Sequence, residues 1–188
     1  RRPLDKITIK GFKSIQSLED FELQNLNMLI GGNGAGKSNF IEFFRMLFAM
    51  MKPDGLKQFV AGNADAYLFG GPKITAAIEI RMRFGQNGYD FELSPTEDGF
   101  FLINNEKRHC FSYSTAGSTL NLGSGNFNPG LLYDKDNSSF QGAEHGASWY
   151  TYEDICSWKI YHFHDTSPES GMRRYQDQGH NEQLFMDA

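Results

Sequence analysis

Gly31-Gly32-Asn33-Gly34-Ala35-Gly36-Lys37-Ser38 is the stretch whose reading decides the rest of this chain. It fits the phosphate-loop pattern G-x-x-x-x-G-K-[ST], with Gly31, Gly36, Lys37 and Ser38 in the required places. Each residue type has a physical task. Glycines let successive backbone N–H groups curl round a phosphate without Cβ clashes, and they accept the positive φ angles of such a nest. Lys37 can bring a mobile charge to the β- and γ-phosphates of a nucleotide, and the Ser38 hydroxyl can hold Mg2+. A helix starting here aims the positive end of its dipole at the same anion. The flanks supply the context. Upstream, Leu26-Asn27-Met28-Leu29-Ile30 is a short apolar run between polar residues, which predicts a buried strand. Downstream, Asn39 to Lys52 predicts a helix with a narrow polar stripe of Asn39, Glu42, Arg45, Ala49 and Lys52. Phe40, Ile41, Phe43, Phe44, Leu47, Phe48, Met50 and Met51 cover the rest of it. Pro53-Asp54-Gly55 ends the helix.

With 188 residues, 39% hydrophobic and 14% aromatic, the chain has material for one domain or for two small lobes. Seventeen phenylalanines supply much of the core. A net charge of −5 argues against a surface that binds nucleic acid everywhere, while leaving room for a local basic strip. Cys110 and Cys156 lie far apart and match no metal-ligand spacing. There is no signal peptide, and no apolar run approaches the ~20 residues of a membrane span. A reduced, cytoplasmic setting away from membranes is expected. The chain opens Arg1-Arg2-Pro3 without methionine and stops at Met186-Asp187-Ala188, so a fragment of a longer protein is expected.

Lys6-Ile7-Thr8-Ile9-Lys10 alternates and predicts a strand closed by Gly11. Phe12-Lys13-Ser14-Ile15 reads as a turn, and Phe21-Glu22-Leu23-Gln24 as a second strand leading to the loop. Residues 62–73 read as a loop. Ile74, Ala76, Ile78, Ile80, Met82 and Phe84 then alternate with mostly polar neighbours, the mark of a half-exposed antiparallel strand. Gln86-Asn87-Gly88 signals a hairpin turn, and Tyr89, Phe91 and Leu93 a returning strand. After a turn at Glu97-Asp98-Gly99, Phe100 to Asn104 and Cys110 to Tyr113 complete a β-meander. Ser114 to Ser148 is rich in Gly, Ser and Asn, which predicts a flexible insertion dispensable for nucleotide binding. Trp149 to Ser157 reads as a short helix and Trp158 to Phe163 as a strand. The organisation expected is therefore a phosphate-loop core over 1–60, a meander over 74–113, the insertion over 114–148, and a closing strand and tail over 149–188.

Two stretches carry a family resemblance. Ile9-Lys10-Gly11-Phe12-Lys13-Ser14-Ile15, followed by Leu29-Ile30 and the loop with its trailing Asn39, resembles the start of an ABC-type ATPase of the SMC/RecF-like group. These proteins are often grouped with AAA-family ATPases. Trp158 to Arg174, with Tyr161-His162-Phe163-His164-Asp165-Thr166-Ser167-Pro168, is similar to the segment that closes the first lobe in that group. The resemblance implies an α/β P-loop NTPase fold, an ABC/SMC-like head lobe with a mixed sheet and an antiparallel β-subdomain. It implies ATP and Mg2+ as ligands, held by Gly31, Gly32, Asn33, Gly34, Ala35, Gly36, Lys37, Ser38 and Asn39. Lys13 and Ser14 would approach the adenine and ribose. Asp165 would stand where a glutamine normally meets Mg2+, as an outer-sphere partner. Two such heads sandwich two ATP molecules, so a second copy is the expected partner, with nucleic acid or an effector protein beyond it.

The sequence departs from that pattern after the loop. From residue 39 to 188 no four apolar residues precede Asp-Glu, and no Leu-Ser-Gly-Gly-like signature occurs. Leu131-Leu132-Tyr133-Asp134 imitates a Walker B strand, but Lys135 follows it. A C-terminal lobe is therefore expected to be missing, and no catalytic residue for hydrolysis is identified. The other readings are a P-loop small-molecule kinase and a nucleotide-binding regulatory subunit without hydrolysis. A kinase needs a parallel sheet after the loop, against which the alternating strands argue. His162 and His164 would share a strand face, a geometry for two metal ligands with no third in view. Arg81, Arg83, Lys107 and Arg108 could line an outer sheet face toward the phosphates of DNA.

Overall fold

Alternation of apolar and polar residues is realised as one long antiparallel sheet. The computed structural model describes residues 2–24, 26–32, 34–111, 117–137 and 146–159. The chain divides into two units, Arg1–Ser157 and Trp158–Ala188, and the fold below is that of the first. Its strands are β1 (Lys6–Phe12), β2 (Ile15–Glu22), β3 (Ile78–Phe84), β4 (Asn87–Pro95), β5 (Phe101–Cys110) and β6 (Ser118–Gly123). Its helices are α1 (Lys37–Met50), α2 (Gly55–Val60), α3 (Leu131–Asn137) and α4 (Ala147–Cys156), with a 3-10 turn at Ala64–Tyr67. The strands form a six-stranded sheet in the order β2-β1-β3-β4-β5-β6, and each neighbouring pair is antiparallel.

One face of this sheet is the core. Ile7 and Ile9 of β1, Ile78 to Phe84 at alternate positions of β3, Tyr89, Phe91 and Leu93 of β4, and Phe101 and Ile103 of β5 are buried. Phe43, Met46, Leu47 and Met50 of α1 cover the β1 end, where Phe12 meets Phe43 edge to face with centroids 5.6 Å apart. Such aromatic contacts add roughly 0.5–1.5 kcal/mol to the burial itself.

The other face is polar and self-paired. Lys6–Glu22 at 3.0 Å, Lys10–Glu19 at 3.1 Å and Arg83–Asp90 at 2.5 Å bridge neighbouring strands. Arg81 lies 3.8 Å from Glu79 and Lys107 stands opposite Asp90, while Arg108, paired with the buried Tyr89, is on the core side and turns to the Ser148 hydroxyl. The expected basic strip is thus broken up by carboxylates. His109 sits in this row between Asp90 (3.1 Å) and the Thr119 hydroxyl (2.8 Å). Burial pushes its pKa down, with Arg83 assisting and Asp90 opposing. A depressed folded-state pKa means stability that is present above the free histidine value and lost as pH falls through the folded one. The melting temperature should therefore drop on acidification below about pH 6.5, and His109→Gln should flatten that part of the curve. An unchanged slope in the variant would assign the acid sensitivity elsewhere.

Several expectations need correction. Leu26–Ile30 forms no strand: Leu26 is 84% exposed, Met28 77% and Ile30 86%. Locally, the Asn27 carboxamide closes a turn on the Gln24 backbone. With that segment unpaired, the sheet is purely antiparallel among the described residues, not mixed. The second strand begins at Ile15 rather than Phe21, straight after a turn at Lys13-Ser14. The β3–β4 turn is Gly85-Gln86, because Phe84 already pairs with Asn87. After the turn at Glu97-Asp98-Gly99 one continuous strand, β5, runs from Phe101 to Cys110, where two pieces were expected; Ser112 and Tyr113 lie outside the described residues.

The segment 114–148 is not a bare insertion. It supplies β6, α3 and the start of α4. Glu106, fully buried on β5, accepts hydrogen bonds from the N–H groups of Gly130 and Leu131 at the head of α3. Deleting 117–142 would remove those donors and strip an edge from the sheet, so it cannot be treated as dispensable.

Candidate phosphate site

The loop enters α1 with the geometry its glycines allow. Gly34 and Gly36 have φ of 85° and 88°, in the left-handed region open to glycine. Gly36 is the N-cap of α1, no side chain caps that end, and its first turn carries no acidic residue. The amide donors of the first turn are free of side-chain competitors and the dipole is uncompensated, which favours an anion. Gly31, Gly32, Gly34, Ala35 and Ser38 are exposed. Lys37 folds back so that its amine donates to the carbonyl oxygens of Gly31 (2.6 Å) and Gly32 (2.7 Å). The charge is thereby tethered beside the loop's own N–H groups. The exposed Ser38 hydroxyl, in the same turn, could hold Mg2+.

The β1–β2 turn closes on this site. Ser14 Oγ lies 2.9 Å from where a Cβ on Gly36 would be, so the turn and the last loop glycine are in contact. The Asn39 carboxamide donates to Ser14 Oγ at 2.7 Å. Lys13, at φ 48°, donates its N–H to the Tyr67 carbonyl, and its amine reaches Glu42 Oε2 at 2.5 Å. The same amine lies 4.7 Å over the Tyr67 ring. Burial, then the Glu42 charge, push the Tyr67 pKa up.

The sequence-derived candidates thus divide. Gly31, Gly32, Gly34, Ala35, Gly36, Lys37, Ser38, Asn39, Lys13 and Ser14 come together around the head of α1. Asn33, Asp165, His162 and His164 lie outside the described residues. Leu131-Leu132-Tyr133-Asp134 is helical, in α3, which excludes a Walker B strand there. Among the described residues no three His, Cys, Asp or Glu side chains are grouped to hold a metal ion, and no helix is long and apolar enough to cross a membrane. Cys110 and Cys156 are free thiols.

Glu42 and Tyr67 were not among the sequence candidates. Glu42 was legible as a member of the α1 polar stripe three residues beyond Asn39, but its partner is fixed only by the fold. Elsewhere, a groove of about 610 Å3 runs between β6 and α3, lined by Leu120, Phe127, Tyr133 and asparagines. No loop residue lines it, and its one charged lining group is the carboxylate of Asp134, so it has nothing to offer a phosphate.

A family model described as an AAA ATPase domain matches residues 3–138, a span from β1 through α3 that contains the loop and the whole sheet. No curated protein matches the chain.

Proposed function

The chain belongs to the AAA ATPase domain family, and from that premise we propose that it is the first lobe of an SMC/RecF-like ATPase head. Nucleotide binding and ATP hydrolysis are the chemistry of that family, with ATP and Mg2+ its usual ligands. In this reading the loop amides hold the β-phosphate, Lys37 neutralises the β- and γ-phosphates, and Ser38 holds the metal. The head works as a switch: a C-terminal lobe and a second copy complete the site across ATP. Its output is nucleic-acid maintenance or anti-phage defence, in a cytoplasmic setting.

The observation that carries this reading is the uncapped head of α1 behind Gly36, with Lys37 and Ser38 in its first turn. Support for the missing surfaces comes from Leu26, Met28 and Ile30, whose exposed apolar side chains lie just before the loop and call for cover. The kinase reading is disfavoured because β3, β4 and β5, which follow the loop, are antiparallel.

Phosphoryl transfer to water also needs a group that orients the water, and no sequence motif supplies one. Titration of this chain with ATP, with and without Mg2+, should therefore show binding with negligible turnover. Ser38→Ala should lose the gain that Mg2+ brings while keeping the affinity measured in EDTA. Steady-state hydrolysis by this chain alone, abolished by Lys37→Ala, would refute the need for a second lobe.

A further inference from the structure

This inference rests on the nucleotide reading of Gly31–Ser38 and concerns how the neighbouring charges serve it. Glu42 lies five residues beyond Lys37 on the helix that faces the phosphates, about 7–8 Å along the axis at 1.5 Å per residue. A carboxylate there repels a polyphosphate and offsets part of the positive potential at the helix head. It is not left bare. The Lys13 amine sits 2.5 Å from Glu42 Oε2, with the two side chains only 22% and 29% exposed. The same amine lies over the Tyr67 ring, and the Lys13 backbone, in the left-handed region, donates its N–H to the Tyr67 carbonyl. One residue on, Ser14 is fastened by Asn39 and touches Gly36. Two adjacent residues of the turn thus meet two residues of the α1 polar stripe, Asn39 and Glu42, spaced as neighbours on one helix face.

We propose that Lys13 is a positioning residue and not a ligand of the nucleotide: it neutralises Glu42 and, by anchoring the β1–β2 turn, seats Ser14 against Gly36. The family resemblance implies direct contact of this lysine with the bound nucleotide. The geometry commits its ammonium group to Glu42 and Tyr67 instead. The ligand class is a nucleoside polyphosphate, and the effect of Lys13 grows with the charge of that ligand.

The test is a double-mutant cycle on the purified protein, with ATP and AMP titrated into wild type, Lys13→Met, Glu42→Gln and the double variant. Methionine keeps an unbranched side chain of similar length beside Tyr67 and removes the ammonium group with its ion pair, which limits the disturbance to folding. Lys13→Met should weaken ATP binding roughly three- to tenfold through the uncovered carboxylate, and AMP binding less. The double variant should return to within about twofold of wild type, because the charges act on each other. At about 1 M salt, where the screening length falls to ~3 Å, the Lys13→Met loss should largely vanish. A double variant as weak as Lys13→Met would make Lys13 a direct ligand and overturn the proposal. So would an equal loss for ATP and AMP, or no loss. Lys37→Ala serves as the control: ATP binding indifferent to Lys37 would sink the nucleotide reading itself. Binding that needs Lys37 but is not rescued in the double variant sinks only the role given to Lys13.

Discussion

Lys37→Ala should lower the affinity of this chain for ATP at least tenfold, a loss of at least ~1.4 kcal/mol. The expectation follows from where the amine is held. It donates to the carbonyl oxygens of Gly31 and Gly32, so the lysine both closes the loop on itself and keeps a positive charge beside it. Alanine removes the charge and the tether together, and the loop loses its shape as well as its field. If Ser38 acts through the metal, as proposed, its substitution should cost less in EDTA. Isothermal titration of the two variants against wild type decides the matter. Equal affinity in Lys37→Ala would take the loop out of the binding site.

The second large effect is structural. Glu106→Ala should destabilise the fold by several kcal/mol, at about 1–3 kcal/mol for each buried donor left unpaired. Glu106 Oε1 accepts from the Tyr89 hydroxyl at 2.7 Å and the Leu131 N–H at 3.0 Å, and Oε2 accepts from the Gly130 N–H at 2.7 Å. Burial pushes this carboxyl pKa up while those donors pull it down. The Tyr89 hydroxyl, wholly buried, is pushed well up for the same reason. Truncation leaves two buried donors, the Tyr89 hydroxyl and the Leu131 N–H, and the half-buried Gly130 N–H without an acceptor. Glu106→Gln keeps one oxygen and should cost clearly less. Urea unfolding of the pair checks this, and a loss under about 1 kcal/mol for alanine would mean that water replaces the carboxylate.

How far the sequence could be read depended on whether a residue's partner is near in sequence. Strands β1, β3 and β4 were legible because their inward residues are apolar and alternate. The second half of β5 was not. Glu106 faces the core, and Arg108, on the same side, turns to Ser148, but both are polar and break the alternation. Their partners, the head of α3 and Ser148 of α4, come 24 to 40 residues later, in a stretch whose composition resembles a loop. The loop residues were legible as a motif, since their chemistry is local to eight positions. The Lys13–Glu42 pairing was not, because it depends on the turn folding back over α1. Leu26–Ile30 misled in the opposite direction: the apolar run states a preference for burial, and the described fold offers it no neighbouring strand.

That exposed run also ties two equilibria together. A phosphate nest works best when both of its ends are fixed. Here the far end continues into α1, while the near end leaves through residues whose side chains face solvent. Any surface that comes to cover Leu26, Met28 and Ile30 would fix the near end and so raise the affinity of the loop for phosphate. By thermodynamic reciprocity, nucleotide must then raise the affinity for that covering surface by the same factor.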